Sequence, residues 1–258
     1  DLTAQPWNGF CTLEEFYNSY EDTDLRKGDA GTAEGPAARR GNFIAGYQYN
    51  LGGTYVMDDG FETPQPNRSP VPLLGDPDGT PLNFGNIGSD QAQINELGPQ
   101  AYRQSGVRIG KWEIAVGSMP NNMSNDYAIF RYADVLLMKA EALWRKGQNA
   151  EALILVNQIR NRAGVADLAS LDGALSYDLE GGDVAGGELF NEIGREMFAE
   201  NHRRQDLIRW GFFTDVSKWV LPFYNPGDVL KEDAYTTLFP IHRDKLSANP
   251  NLTQNPGY

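Results

Sequence analysis

The sequence predicts a mainly α protein with an extensive irregular, loop-rich region and only a few short strands. Two observations carry this. Of its 28 Gly and 15 Pro, 27 fall in residues 1–126 and 16 in residues 127–258, so the two halves differ in construction. The apolar residues also change spacing, from short interrupted runs in the first half to steps of three and four in the second.

In residues 1–126, runs such as PQPNRSPVP (64–72) and GDPDGTP (75–81) favour turns and extended chain, because Pro fixes φ and Gly accepts positive φ. The pieces FIAGYQYNL (43–51), GTYVM (53–57) and VRIGKWEIAV (107–116) read as short strands, too interrupted for a large sheet. An extended YAIFR (127–131) opens the second half. Tyr132, Ala133, Leu136, Ala140, Leu143 and Trp144 then mark one face of a helix over 131–146, with Gly147 just past its end. Asn149 is placed to cap a second helix, over 149–163, whose apolar face is Ala152, Leu153, Val156, Ile159 and Ala163, closed by Gly164. The two form a hairpin with small Ala at the crossing points, of the tetratricopeptide type, and no second copy follows. A third helix is expected from about Glu188 to Asn201 and a short one within 203–211. The tail 238–258 is expected to be mostly ordered coil anchored by Leu238, Phe239, Ile241 and Leu246.

Composition excludes several functions. With 22 Lys+Arg against 35 Asp+Glu the net charge is −13, which argues against a nucleic-acid groove or an anionic membrane surface as main partner. Cys11 is the single cysteine, so there is no internal disulfide and no Cys-based zinc site, and two His residues, His202 and His242, make a poor basis for a metal centre. No run of about 20 apolar residues is present to span a bilayer. Catalysis needs a nucleophile with a base, a tuned carboxylate pair or a metal, and no such set is recognisable, so the chain is read as a non-enzyme without a cofactor. The acidic turns at 58–60 and 76–79 lack the further ligands of a calcium loop. The charged cluster Arg195, Glu196, Glu200, Arg203, Arg204, Asp206 and Arg209 reads as a partly buried network, with Glu200–Arg204 and Arg203–Asp206 at ion-pair spacing.

Five stretches in order carry a family resemblance: PWNGFCTLEEFYNSYEDTDLRKGD (6–29), RYADVLLMKAEALWRKG (131–147), ALILVNQIRNRAG (152–164), GREMFAENHRRQDLIRWG (194–211) and LFPIHRDKLSANPNLTQNPGY (238–258). With them the chain resembles the C-terminal part of a SusD/RagB family outer-membrane nutrient-binding lipoprotein of the Bacteroidetes. His242 stands where the family often has Pro. The resemblance implies a SusD-like fold over 1–258. It also implies a non-catalytic surface protein that captures an oligosaccharide or other nutrient and hands it to a SusC-like TonB-dependent transporter. Its place would be the cell outer membrane, through a lipid anchor on an N-terminal part not included here. The alternative is a helical-repeat scaffold that binds only protein.

Glycan binding asks for aromatic faces against sugar C–H surfaces, with amides or charged groups for the hydroxyls. The loop-rich half supplies Trp7, Tyr47, Tyr49, Tyr55, Phe61, Tyr102 and Trp112. Trp7 sits in a family-like motif, and Trp144 and Trp210 fall at helical spacing, which suits packing. Tyr47, Tyr49, Tyr55 and Trp112 therefore become the ligand-binding candidates, to be brought together by turns at Gly52-Gly53 and Gly110.

Overall fold

The computed structural model describes residues 10–12, 14–58, 80–85, 104–113, 126–176, 182–215 and 234–258. Trp7, Phe61, Tyr102 and the acidic turn at 76–79 lie outside them. The chain divides into two compact units, Asp1–Glu200 and Asn201–Tyr258, a boundary that differs from the compositional one.

The first unit is built on the helical hairpin. α2 (Tyr132–Arg145) and α3 (Asn149–Arg162) pack on each other, and α2 also meets α4 (Gly187–Glu196). Gly147 and Gly164 adopt φ of 75° and 74° and close the two helices by donating to the carbonyls of Trp144 and Asn161, the left-handed end that Gly takes most easily. Ala152, Val156, Ile159 and Ala163 are buried on α3 as the spacing predicts. Asn149 is not a cap. It is the first helical residue, and Gln148 precedes it without a side-chain bond.

α2 has the expected period but a different phase. Its buried residues are Asp134, Leu137, Ala140 and Glu141, whereas Tyr132, expected inside, is 70% exposed. Hydropathy misplaces the stripe because two of the residues facing inward are carboxylates.

α4 is buried nearly all round, so its polar residues need partners. Asn191 bonds Ser176 N and Ala174 O, and the helix N-terminus is fastened where Glu188 N and Leu189 N reach Leu171 O. The helix ends at Glu196, short of the expected Asn201. Ala199 and Asn201 take φ of 59° and 62°, which helical chain cannot accommodate.

Around these helices lies the irregular first half. α1 (Glu14–Asn18) and the segment after it supply Phe16, Tyr17 and Tyr20 to an aromatic cluster with Phe43, Val107 and Phe198. Its strands are short. β1 (Cys11–Thr12), β7 (Val107–Ile109) and β2 (Phe43–Ile44) form one antiparallel sheet in that order; β3 (Gly46–Tyr47) pairs with β6 (Asn83–Phe84), and β4 (Met57–Asp58) with β5 (Thr80–Pro81).

Gly46 links the first sheet to the second in a close approach. Its φ is 71°, and a Cβ there would stand 2.1 Å from Gly31 O. Gly46→Ala is therefore expected to lower stability by about 1–3 kcal/mol, read as an earlier urea midpoint. An unchanged midpoint would mean that the Gly31–Gly46 bridge does not hold these segments together.

In the second unit, α5 (Arg203–Arg209), a 3₁₀ turn (Ala234–Thr237) and α6 (Arg243–Ala248) are described. The tail is mostly coil, as expected, with one short helix, α6, inside it. Its anchoring differs from expectation: Leu238 and Phe239 are exposed, Phe239 at 70%. Polar bonds hold it. Gln254 bonds both Ile241 N and Ile241 O, Asn255 Nδ2 reaches Phe239 O, and Tyr258 OH reaches Leu238 O. Arg204 donates to Thr236 O and Thr237 O, with its guanidinium 4.2 Å from the Phe239 ring centre. Among the described residues no helix is long and apolar enough to cross a membrane.

Candidate functional site

Tyr47, Tyr49 and Tyr55 come together on one small hairpin. Tyr47 sits on β3 opposite Asn83 of β6, and Tyr49 bridges Tyr55 across a turn. Asn50 builds that turn: its backbone N–H donates to Thr54 O at 2.9 Å, and its Oδ1 accepts from Gly52 N and Thr54 N. Gly53, at φ 77°, completes it. The rings of Tyr49 and Tyr55 lie 4.8 Å apart and those of Tyr47 and Tyr55 5.4 Å apart, all half-buried.

Two of the hydroxyls are spent on the 32–33 loop. Tyr49 OH donates to Thr32 O at 2.5 Å and Tyr55 OH to Ala33 O at 3.0 Å. Packing around its ring, and then the Tyr55 hydroxyl, push the Tyr49 phenol up to about 12, so it stays a neutral donor. With the hydroxyls fixed, the rings are held in orientation, which lowers the entropy lost when a flat apolar surface is presented to a ligand. Gln48 and Thr54 supply polar groups along the same hairpin.

Trp112 is not part of this group. Its ring contact is with Tyr127, 5.0 Å away. The reason lies at Gly110, which is no turn: its N–H donates to Asn42 O and extends the β2–β7 pairing, carrying the chain onward without folding it back toward the tyrosines. Tyr127 was not among the candidates, since nothing in the order of residues joins it to Trp112.

Behind the loops is an ion-pair network larger than the charged cluster read from 195–209. Glu192 meets Arg26, Arg160 and Arg195, and Glu196 meets Arg26, Arg131 and Arg162. Glu200 pairs with Lys111 and Arg131, and not with Arg204; Asp206 is salt-bridged to Arg209, three residues on. Burial alone would raise the Glu192 carboxyl, but Arg195 and Arg26 outweigh it and hold it at about 2. The same contest lowers Glu200, where Arg131 and Lys111 prevail. Carboxylates held ionised in this way have no proton to give at neutral pH and cannot serve as general acids. Among the described residues no group of three metal-ligating side chains occurs. The arrangement is structural: it ties the 20–26 segment, α3, α4 and Lys111 together.

These elements define a mainly helical protein with an ion-paired core and a separate loop-built aromatic patch. The chain belongs to the SusD family, whose model matches residues 82–258. SusD-like protein P25 of Formosa agariphila is 32% identical over 155 residues, covering 57% of this chain and 28% of that protein. The starch-binding protein SusD of Bacteroides thetaiotaomicron is 26% identical over 211 residues, 78% of this chain and 34% of its own. A crystal structure of a SusD homologue from Bacteroides thetaiotaomicron, 26% identical, covers 60% of this chain and 32% of that one with a TM-score of 0.44. The chain thus spans about a third of the length of the curated relatives it matches.

Proposed function

We propose that this chain is part of a non-catalytic surface protein that binds an oligosaccharide and delivers it to a SusC-like TonB-dependent transporter in the outer membrane. In this reading the whole protein is held at the cell surface by a lipid anchor. Membership of the SusD family supports it, together with the starch-binding name of one relative. The observation that carries the site is the tyrosine hairpin. Three rings, two of them with tethered hydroxyls, form an oriented aromatic surface outside the main core cluster. Trp112 with Tyr127 forms a second, separate aromatic pair.

The test is a soluble-glycan screen by calorimetry, followed by Tyr49→Ala, Tyr55→Ala and Trp112→Ala in the best ligand. An aromatic stack on a sugar contributes about 1 kcal/mol beyond area burial, so either tyrosine variant should bind several-fold more weakly. Trp112→Ala should have the smaller effect, because it stands apart from the trio. If all three bind as the parent does while remaining folded, the patch is not the site. Cleavage of the glycan by the purified chain would refute the non-catalytic reading.

A second reading, a scaffold that binds only protein, is favoured by a separate observation. Ile129, Phe130, Tyr132, Val135 and Met138 leave apolar surface exposed along α2 and the chain entering it. A blank glycan screen alongside tight association with the transporter would select it.

A further inference from the structure

A cleft of about 440 Å³ opens beside the ion-pair network, lined by Arg26, Arg40, Asn42, Lys111, Arg131 and Arg162. That volume lies within the range of about 300–1,000 Å³ typical of small-ligand sites. Two acidic residues, Glu113 and Glu196, share the wall.

What the cleft offers depends on which cations are already committed. The network joins six cations (Arg26, Lys111, Arg131, Arg160, Arg162, Arg195) to six carboxylates (Glu21, Asp24, Glu188, Glu192, Glu196, Glu200), so it is balanced within itself. Arg26 is fully engaged, through Nε and both terminal nitrogens with Asp24, Glu192 and Glu196. Arg131 likewise spends all three nitrogens on Glu196, Glu200 and Met197. Two residues differ. Arg162 uses one nitrogen, 2.6 Å from Glu196 Oε2, and its side chain remains 58% exposed. Arg40 is exposed and has no hydrogen bond or ion pair with any described residue. Glu113 is exposed too, with a partner of its own.

The cleft therefore carries one guanidinium, Arg40, without a partner among the described residues and a second, Arg162, with only one nitrogen committed, over a charge-balanced network. A planar guanidinium with free N–H groups matches the two oxygens of a carboxylate or a sulfate. The net charge of −13 does not oppose this, since charges farther than about 8–10 Å are screened at physiological salt and the local balance decides.

The cleft is close to the tyrosine hairpin. Asn42 in its wall and Tyr47 are five residues apart, so at most about 17 Å of extended chain separates them. That span is within the reach of a short oligosaccharide.

We propose that this cleft binds the acidic group of a saccharide, a carboxylate or sulfate ester, with Arg40 and Arg162 as its ligands. The saccharide part rests on the glycan-binding reading above; the oxyanion part does not.

The probes are glucuronate, glucose and inorganic sulfate, titrated onto the full chain by calorimetry or NMR. Glucuronate should bind at least about tenfold more tightly than glucose and weaken as salt is raised. Arg40→Ala should weaken glucuronate about tenfold and Arg40→Glu should abolish its binding. Neither should move the thermal midpoint, because Arg40 has no partner among the described residues. Arg162→Lys keeps the charge toward Glu196 but loses the fork, and should weaken glucuronate several-fold. Glucuronate binding no better than glucose, or binding to Arg40→Glu as to the parent, overturns the proposal. Sulfate binding as tightly as glucuronate, with the same loss in Arg40→Glu, supports the oxyanion cleft and overturns its saccharide part. The tyrosine site fails separately if Tyr49→Ala leaves neutral-glycan binding intact while glucuronate still depends on Arg40.

Discussion

Glu192→Ala is expected to destabilise the chain by about 3–5 kcal/mol, the range for removing one partner of a buried ion pair. Glu192 is fully buried and its two oxygens serve Arg26, Arg160 and Arg195. Its loss removes a carboxylate partner from three nearly buried guanidinium groups and leaves a cavity among them. The pH dependence follows the same physics. The carboxyl stands at about 2 in the folded state against 4.5 ordinarily, so its contribution is fully present above about pH 4.5 and disappears as pH falls through about 2. The size is about 3 kcal/mol, and Glu192→Gln should flatten that part of the profile. Glu21 provides the contrast. It pairs with Arg160 too, but its side chain is 50% exposed, so Glu21→Ala should cost no more than about 1 kcal/mol. Urea unfolding from pH 7 to pH 2 reads both. Equal losses for the two variants would show that burial does not set the strength of these pairs.

Phe43→Ala should cost a similar amount, about 3–5 kcal/mol, for a different reason. Phe43 is 4% exposed on β2, and its ring centre lies 5.2 Å from that of Tyr17, 5.1 Å from Tyr20 and 5.1 Å from Phe198. The cavity would fall between the irregular first half and the segment following α4, and the surrounding rings are too large to close it. Phe43→Leu should recover most of the loss. The same urea titration tests this, and a Phe43→Ala loss below about 1 kcal/mol would mean that the aromatic cluster is not a core.

Tyr20 joins the two cores. Its hydroxyl donates to Arg195 O at 2.7 Å and accepts from Asn42 Nδ2 at 3.0 Å, so one side chain ties the rings to the ion-paired helix. Burial raises its phenol well above the usual tyrosine range, which keeps the donor protonated.

The sequence by itself determined the helical hairpin, its two closing glycines, the shortness of the strands and the family, because each rests on local signals. Period, turn residues and motif order are read within a few residues of one another. The phase of α2 was not legible, since Asp134 and Glu141 face inward and Tyr132 outward, against hydropathy. The early end of α4 depends on two non-glycine residues held at positive φ by their surroundings. The candidate site was half legible. The turn read at Gly52-Gly53 placed Tyr47, Tyr49 and Tyr55 together, but only the fold revealed that the carbonyls of Thr32 and Ala33 tether two of them and that Trp112 goes to Tyr127. The ion-pair network was the least legible, because Arg26 meets Glu192 and Glu196 across 166 and 170 residues. Charge partners at such separation are selected by which side chains are desolvated together, and that is decided only when the segments pack.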